Sequence, residues 1–112
     1  MAFRLTLRRP FVADHFHDLP GFEEARHGHN WEAEITVEGA GEIEALAALE
    51  PWIRQVDYTI LNGQARLEGR NPTAELLALW LFEFLEAQGQ VPVSVRIREK
   101  ANYWASCSRE AR

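Results

Sequence analysis

One cysteine, Cys107, stands in the whole 112-residue chain. It has no partner for an internal disulfide, so the fold must hold by packing alone, and the natural setting is a reducing cytoplasm. Long basic runs are also absent. No basic run exceeds Arg8-Arg9, and the formal net charge is −5, which argues against a nucleic-acid surface. An acidic chain can still hold a phosphorylated small molecule in a local basic pocket. Long apolar runs are absent: the longest, Leu76 to Leu85, is interrupted by Glu83, so no membrane span is expected. The Met1 end lacks the charged-then-apolar pattern of a leader. No repeat, low-complexity tract or linker breaks the chain, so residues 1–112 read as a single domain of common size.

Apolar residues are present in ordinary amount, 46%, enough for a real but modest core that oligomer contacts would help. Four Trp, six Phe and two Tyr are many for this length, and some would serve subunit contacts. Phe3, Leu5 and Leu7 alternate with polar residues, as on a half-buried strand. Pro10 implies an edge or bulge, after which Phe11, Ala13 and His15 follow at spacing two. His17 to Arg26 reads as a loop turned by Pro20 and Gly21. His29 to Gly39 is the clearest strand, with Trp31, Ala33, Ile35 and Val37 on the apolar face. A short helix from Gly41 to Glu50 is expected to kink or restart at Pro51. A second helix is expected to begin with Asn71 as N-cap and Pro72 at its first position and to stop at Gly89. Val91 to Glu99 and the segment from Ala101 to Cys107 read as two further strands. Two strands, two helices and two strands predict an α+β fold: an antiparallel four-stranded sheet with both helices on one face.

His15, His27 and His29 all occupy odd positions on, or entering, strands whose odd positions are apolar. If those strands are neighbours, alternation turns the rings toward one layer. Three imidazoles suit a zinc ion with an open fourth position, which can polarise a substrate oxygen. The bland alternative is a set of loop histidines. His17 lies deeper in the loop and reads as a decoy. Glu23 and Glu24 precede His27 by four and three residues, where a carboxylate can take a proton beside a metal; a solvated acidic loop is the alternative. Asp57 beside Tyr58 could form a proton relay or simply turn the chain. Glu99, if buried, needs a donor pair such as an amino group and a ring N–H.

Together these residues resemble the 6-pyruvoyltetrahydropterin synthase / 6-carboxytetrahydropterin synthase family. "FVADH" is similar to its F-x-A-x-H, "HGHNW" to H-G-H-[NS]-aromatic, "DYTILN" to D-H-x-x-L-N, "NPTAELLA" to P-T-x-E-x-x-A and "REKANYWAS" to its closing E-T-x-x-x-x-A, with Lys100 in place of the Thr. The resemblance implies a T-fold whose subunits form trimers and then a homohexamer, with sites between subunits. It implies zinc on His15, His27 and His29, the pterin ring gripped by Glu99 with further contacts near Thr73, and 7,8-dihydroneopterin triphosphate as substrate. Two departures stand out. The family cysteine upstream of H-G-H is absent, and Tyr58 replaces the family histidine. A branch of the family carries glutamate three residues before H-G-H, where Glu24 stands, and resembles aldolases that leave 6-hydroxymethyl-7,8-dihydropterin; Glu23 fits the carboxy-forming spacing. Alternatives are a non-catalytic member binding a pterin or purine-like ligand, and a structural zinc protein. Arg26, Arg54 and Lys100 are the candidates for the triphosphate.

Overall fold

The computed structural model describes residues 3–19, 22–23 and 25–109, with backbone only at Leu19, Phe22 and Glu23. Strand β1 (Arg4–His15) is followed by two-residue strands β2 (Asp18–Leu19) and β3 (Phe22–Glu23) and by the long β4 (His27–Glu38). Helix α1 (Glu42–Val56), the two-residue β5 (Thr59–Ile60), helix α2 (Ala74–Ala87), β6 (Pro92–Lys100) and β7 (Tyr103–Ser108) complete the order. The main sheet runs β5-β1-β4-β6-β7. Its four long strands are antiparallel, as expected; β5 adds a short parallel edge against Ala13 and Asp14. Two residues are too few for alternation to show, so this fifth strand, and the small β2–β3 ladder inside the expected loop, leave no sequence pattern.

One face of the sheet is apolar because alternation puts Phe11 and Ala13, Trp31 to Val37 at odd numbers, and Val95 and Ile97 on the same side, all buried. Both helices cover that face. Helix α1 contributes Ala45, Leu49, Trp52, Ile53 and Val56, a single stripe at helical spacing. Helix α2 buries a wider arc, including Leu77, Trp80, Leu81, Phe82 and Leu85, and meets α1 edge to face through Trp80 and Trp52, 5.4 Å between centroids. The other face is polar, laced by cross-strand pairs such as Arg8–Glu34 at 2.7 Å.

The structure corrects two element boundaries. Helix α1 runs through Pro51 instead of ending at Glu50, because Trp52, Ile53 and Val56 gain burial that outweighs one lost hydrogen bond. Helix α2 is capped by Thr73, not Asn71: the Thr73 hydroxyl accepts the Leu76 N–H at 3.3 Å. Asn71 is used elsewhere, and Pro72 lies before the cap. At the other end Gly89 takes φ +82°. Its N–H reaches the Glu86 carbonyl and the Gln90 N–H the Leu85 carbonyl, both at 3.0 Å, the paired bonds of a Schellman stop.

Pro10 sits inside β1 without breaking it. The Val12 N–H donates to Asp57 Oδ1 at 2.8 Å and its carbonyl accepts from Tyr58, so even-numbered residues here point away from β4. Pro10 therefore lacks an N–H only on the open edge, beyond the reach of β5. Among the described residues, no helix is long and apolar enough to cross a membrane.

Candidate metal centre

The last rung of the β1–β4 ladder pairs His15 with His27, and the rung two back pairs Ala13 with His29. Parity then brings all three rings to the apolar face, where one ligand atom from each lies within 4.8 Å of the others. Trp31 is the floor: His15 and His29 meet its ring edge to face, with centroids 5.1 and 5.6 Å away. His15 is 1% exposed.

Hydrogen bonds orient the rings. His15 Nδ1 donates to the Pro72 carbonyl at 2.9 Å, and His27 Nδ1 to the Ala25 carbonyl at 2.9 Å. Each bond fixes the tautomer and makes Nε2 the acceptor nitrogen of its ring. Those two Nε2 atoms face each other at 3.0 Å, and Glu99 Oε1 stands 3.4 Å from the first. Among the described residues, His29 Nε2 is buried without a hydrogen-bond partner. Two acceptor nitrogens, the His29 nitrogen and a carboxylate drawn this close suit a cation placed among them. Burial, acting against the attraction of Glu99, holds His15 and His29 below the usual imidazole range. They are therefore neutral near pH 7, the form that ligates metal. The residues fit a zinc ion with an open position.

A family model of 6-pyruvoyl tetrahydropterin synthase matches residues 4–110. The chain belongs to this family. Among solved structures it is similar to the Caenorhabditis elegans 6-pyruvoyl tetrahydropterin synthase, with a TM-score of 0.82 at 16% identity over 98% of this chain and 97% of that one. It is also similar to the Plasmodium falciparum enzyme, with a TM-score of 0.77 at 14% identity over 98% and 99% of the two chains. A Plasmodium vivax 6-pyruvoyltetrahydropterin synthase with a catalytic glutamate changed to cysteine gives 0.73 at 13% identity over 99% of each. At such identities the likeness is one of fold, the α+β T-fold of the 6-pyruvoyl tetrahydropterin synthases.

Against that family pattern, the structure places the expected residues unevenly. Glu99 reaches the histidines with its side chain 12% exposed. Thr73 stands beside Pro72 but spends its hydroxyl on the helix and on Glu75, whose carboxyl it holds below the usual range. Glu75 also accepts from the Tyr103 hydroxyl at 3.0 Å; its i, i+2 relation to Thr73 is visible in sequence, but its Tyr103 partner is not. Asp57 bonds Val12, and Tyr58 is 82% exposed on the β1 edge, so their hydrogen bonds go to the strand rather than to the histidines. Tyr58 also adopts φ +57°, a left-handed conformation that is strained for so large a residue. Glu24 lies outside the described residues, and Glu23 is placed only as a backbone position in β3. His17 is outside the converging group of three histidines; its Nε2 lies 3.3 Å from the same Pro72 carbonyl. Of the triphosphate candidates, Arg26 pairs with Asp14 at 2.7 Å, Arg54 lies in the last turn of α1, and Lys100 ends β6 exposed.

The glycine of H-G-H has a cross-strand cause. Gly28 pairs with Asp14, and a Cβ on Gly28 would lie 2.7 Å from Asp14 Oδ1. The missing side chain makes room for the carboxylate that holds Arg26. Gly28→Ala is expected to lower stability by about 1 kcal/mol through this overlap. In an Asp14→Ala background the same change should cost nothing, because the clashing group is gone. Urea unfolding of the four proteins checks this; equal costs in both backgrounds would refute the account.

Proposed function

We infer that the chain is a zinc-dependent lyase acting on 7,8-dihydroneopterin triphosphate. The observation that carries this is the convergence of His15, His27 and His29 beside Glu99, with carbonyls on two of the Nδ1 atoms. Zinc on these imidazoles would supply a Lewis acid for a side-chain oxygen of the substrate. Glu99, nearly buried at the edge of the histidines, accepts N–H groups of the pterin ring, with further ring contacts from the Thr73 end of α2. Glu24 is the base that takes the proton from the hydroxyl of the second side-chain carbon as its bond to the first breaks; the second carbon leaves as an aldehyde carrying the triphosphate, and the first takes up a proton to remain as the hydroxymethyl group of 6-hydroxymethyl-7,8-dihydropterin. Glu23 is its competitor for that role. The catalytic glutamate of the Plasmodium vivax relative supports a carboxylate base in this family. Asp57 and Tyr58, on the outer edge of β1, would serve the site of a neighbouring subunit in a homohexamer.

The test is incubation of zinc-loaded protein with the triphosphate and mass spectrometry of the pterins. A 6-hydroxymethyl product supports the glutamate branch; a 6-carboxy or 6-pyruvoyl product assigns the other chemistry. Glu24→Gln is expected to keep zinc and lose turnover by about 100-fold or more. Unchanged substrate at full metal content would instead favour a non-catalytic pterin binder. Tyr58 in place of the family histidine favours that reading, since a phenol is a much poorer proton acceptor than an imidazole at neutral pH.

A further inference from the structure

We propose that Asn62 is a positioning residue of the metal centre, its carboxamide fixing the His15 end of β1 in the geometry that receives the ion. The proposal rests on the zinc reading of the three histidines.

Phe16 follows His15 directly, and one side chain takes both of its main-chain groups. Its N–H donates to Asn62 Oδ1 and its carbonyl accepts from Asn62 Nδ2, each at 3.0 Å. The two bonds imitate a rung of parallel sheet. They continue the ladder in which β5 pairs Ala13 with Thr59 and Asp14 with Ile60. Strand β5 ends at Ile60, and the chain turns into a one-turn 3-10 helix at Leu61–Gly63. Backbone pairing on that side of β1 therefore stops one residue before the ligand, while His15 keeps His27 on the other side. The carboxamide takes over beyond the ligand.

Two further bonds come from the same connection. Asn71 Oδ1 accepts the Asp18 N–H at 2.7 Å, and the Pro72 carbonyl accepts from His15 Nδ1. Residues 62–72 thus grip residues 15–18 at successive points. Of these grips, the Asn62 carboxamide is the one a substitution can remove from the residue adjoining the ligand. A backbone held on both sides leaves the imidazole already aimed. A loose one must be ordered when the ion binds, and that entropy is lost from the affinity. Only a carboxamide supplies an acceptor and a donor in this fork. Aspartate would keep the acceptor and turn a second oxygen toward the Phe16 carbonyl.

Cobalt(II) tests the proposal, because its visible spectrum reports coordination geometry and its Kd follows from competition with a chelator. Wild type is expected to bind one ion per chain in a tetrahedral site. Asn62→Ala is expected to bind about 10-fold more weakly, with an altered band. Gln64→Ala is the control. Its carboxamide bonds the Gln55 carbonyl at 2.9 Å and Thr59 Oγ1 at 3.2 Å in the same connection, so it loosens the loop without touching Phe16. It should leave Kd and spectrum unchanged. If Asn62→Ala does not fold, Asn62→Asp carries the comparison, with the same direction of change expected. Wild-type Kd and spectrum in the Asn62 variant, or an equal loss in Gln64→Ala, would overturn the positioning role alone. Absence of binding by wild type would overturn the zinc reading, and this proposal with it.

Discussion

His29→Ala is expected to lose tight zinc binding and keep its fold. The three imidazoles are not equivalent in the metal-free protein. His15 is fully buried and bonded to the Pro72 carbonyl, so its removal leaves a cavity and takes the shorter of two donors from a buried acceptor. His29 has a buried Nε2 with no hydrogen-bond partner among the described residues. Its replacement removes a desolvated nitrogen, so metal-free stability should hold or rise slightly. The bound state is a different matter. Loss of a ligand must exceed the effect of losing an outer partner, so zinc affinity should fall by about 100-fold or more. Thermal unfolding with and without zinc reads both at once. Zinc at 100 times its Kd adds about 2.7 kcal/mol to a single-site protein, and it should add that to wild type and almost nothing to the variant. A variant that zinc stabilises as fully as wild type would remove His29 from the ligand set.

The second large effect is expected from Trp31→Ala. Trp31 is 1% exposed. It stacks on Phe11 with 5.8 Å between centroids and 6° between planes, and its indole N–H donates to the Ala13 carbonyl at 3.0 Å. Truncation opens a cavity under the histidines and leaves that carbonyl without its donor. Large aromatic-to-alanine changes in a core cost about 3–5 kcal/mol, a large part of the roughly 5–15 kcal/mol that holds a domain together. The melting temperature should fall by roughly 12–20 °C. Trp104, 51% exposed on β7 with the Arg96 guanidinium 4.8 Å from its ring centroid, is the contrast: its replacement should stay within about 0.5 kcal/mol or slightly above. Urea unfolding of both variants separates them, and equal losses would contradict the assignment of Trp31 to the core.

Much of this was legible from alternation. The runs from Phe3 to His15 and from His29 to Val37 state their apolar faces at period two, and the odd positions of His15, His27 and His29 therefore predict that the rings meet once β1 and β4 pair. Helix α2 and its Gly89 stop read equally well. Other features were illegible for definite reasons. Pro51 looks like a breaker because local propensity is blind to the burial of Trp52 and Ile53 on its far side. Asn71 and Thr73 are both good caps, and only the three-dimensional demand of the Asp18 N–H decides between them. The partners of the imidazoles are main-chain carbonyls of Ala25 and Pro72, which carry no residue signature. Asn62 shows in sequence only as the end of a motif, and its bonds to Phe16 cross 46 residues.

The shared parity of the three histidines has a consequence for how the chain can change length. Successive strand residues face opposite ways and rise by about 3.3 Å. Loss of one residue between Leu7 and His15 would turn the imidazole to the Asp14 side and put a neighbour in its place. Loss of two would restore the facing and shift the ring along the strand by about 6.6 Å. Insertions and deletions in this stretch are therefore filtered first by odd or even count, and only then by distance. The bulge that offsets β6 from β4, where Thr36 pairs with Ser94 but Val37 pairs with Pro92, lies at the opposite end of the sheet, where no ligand depends on which way a residue faces.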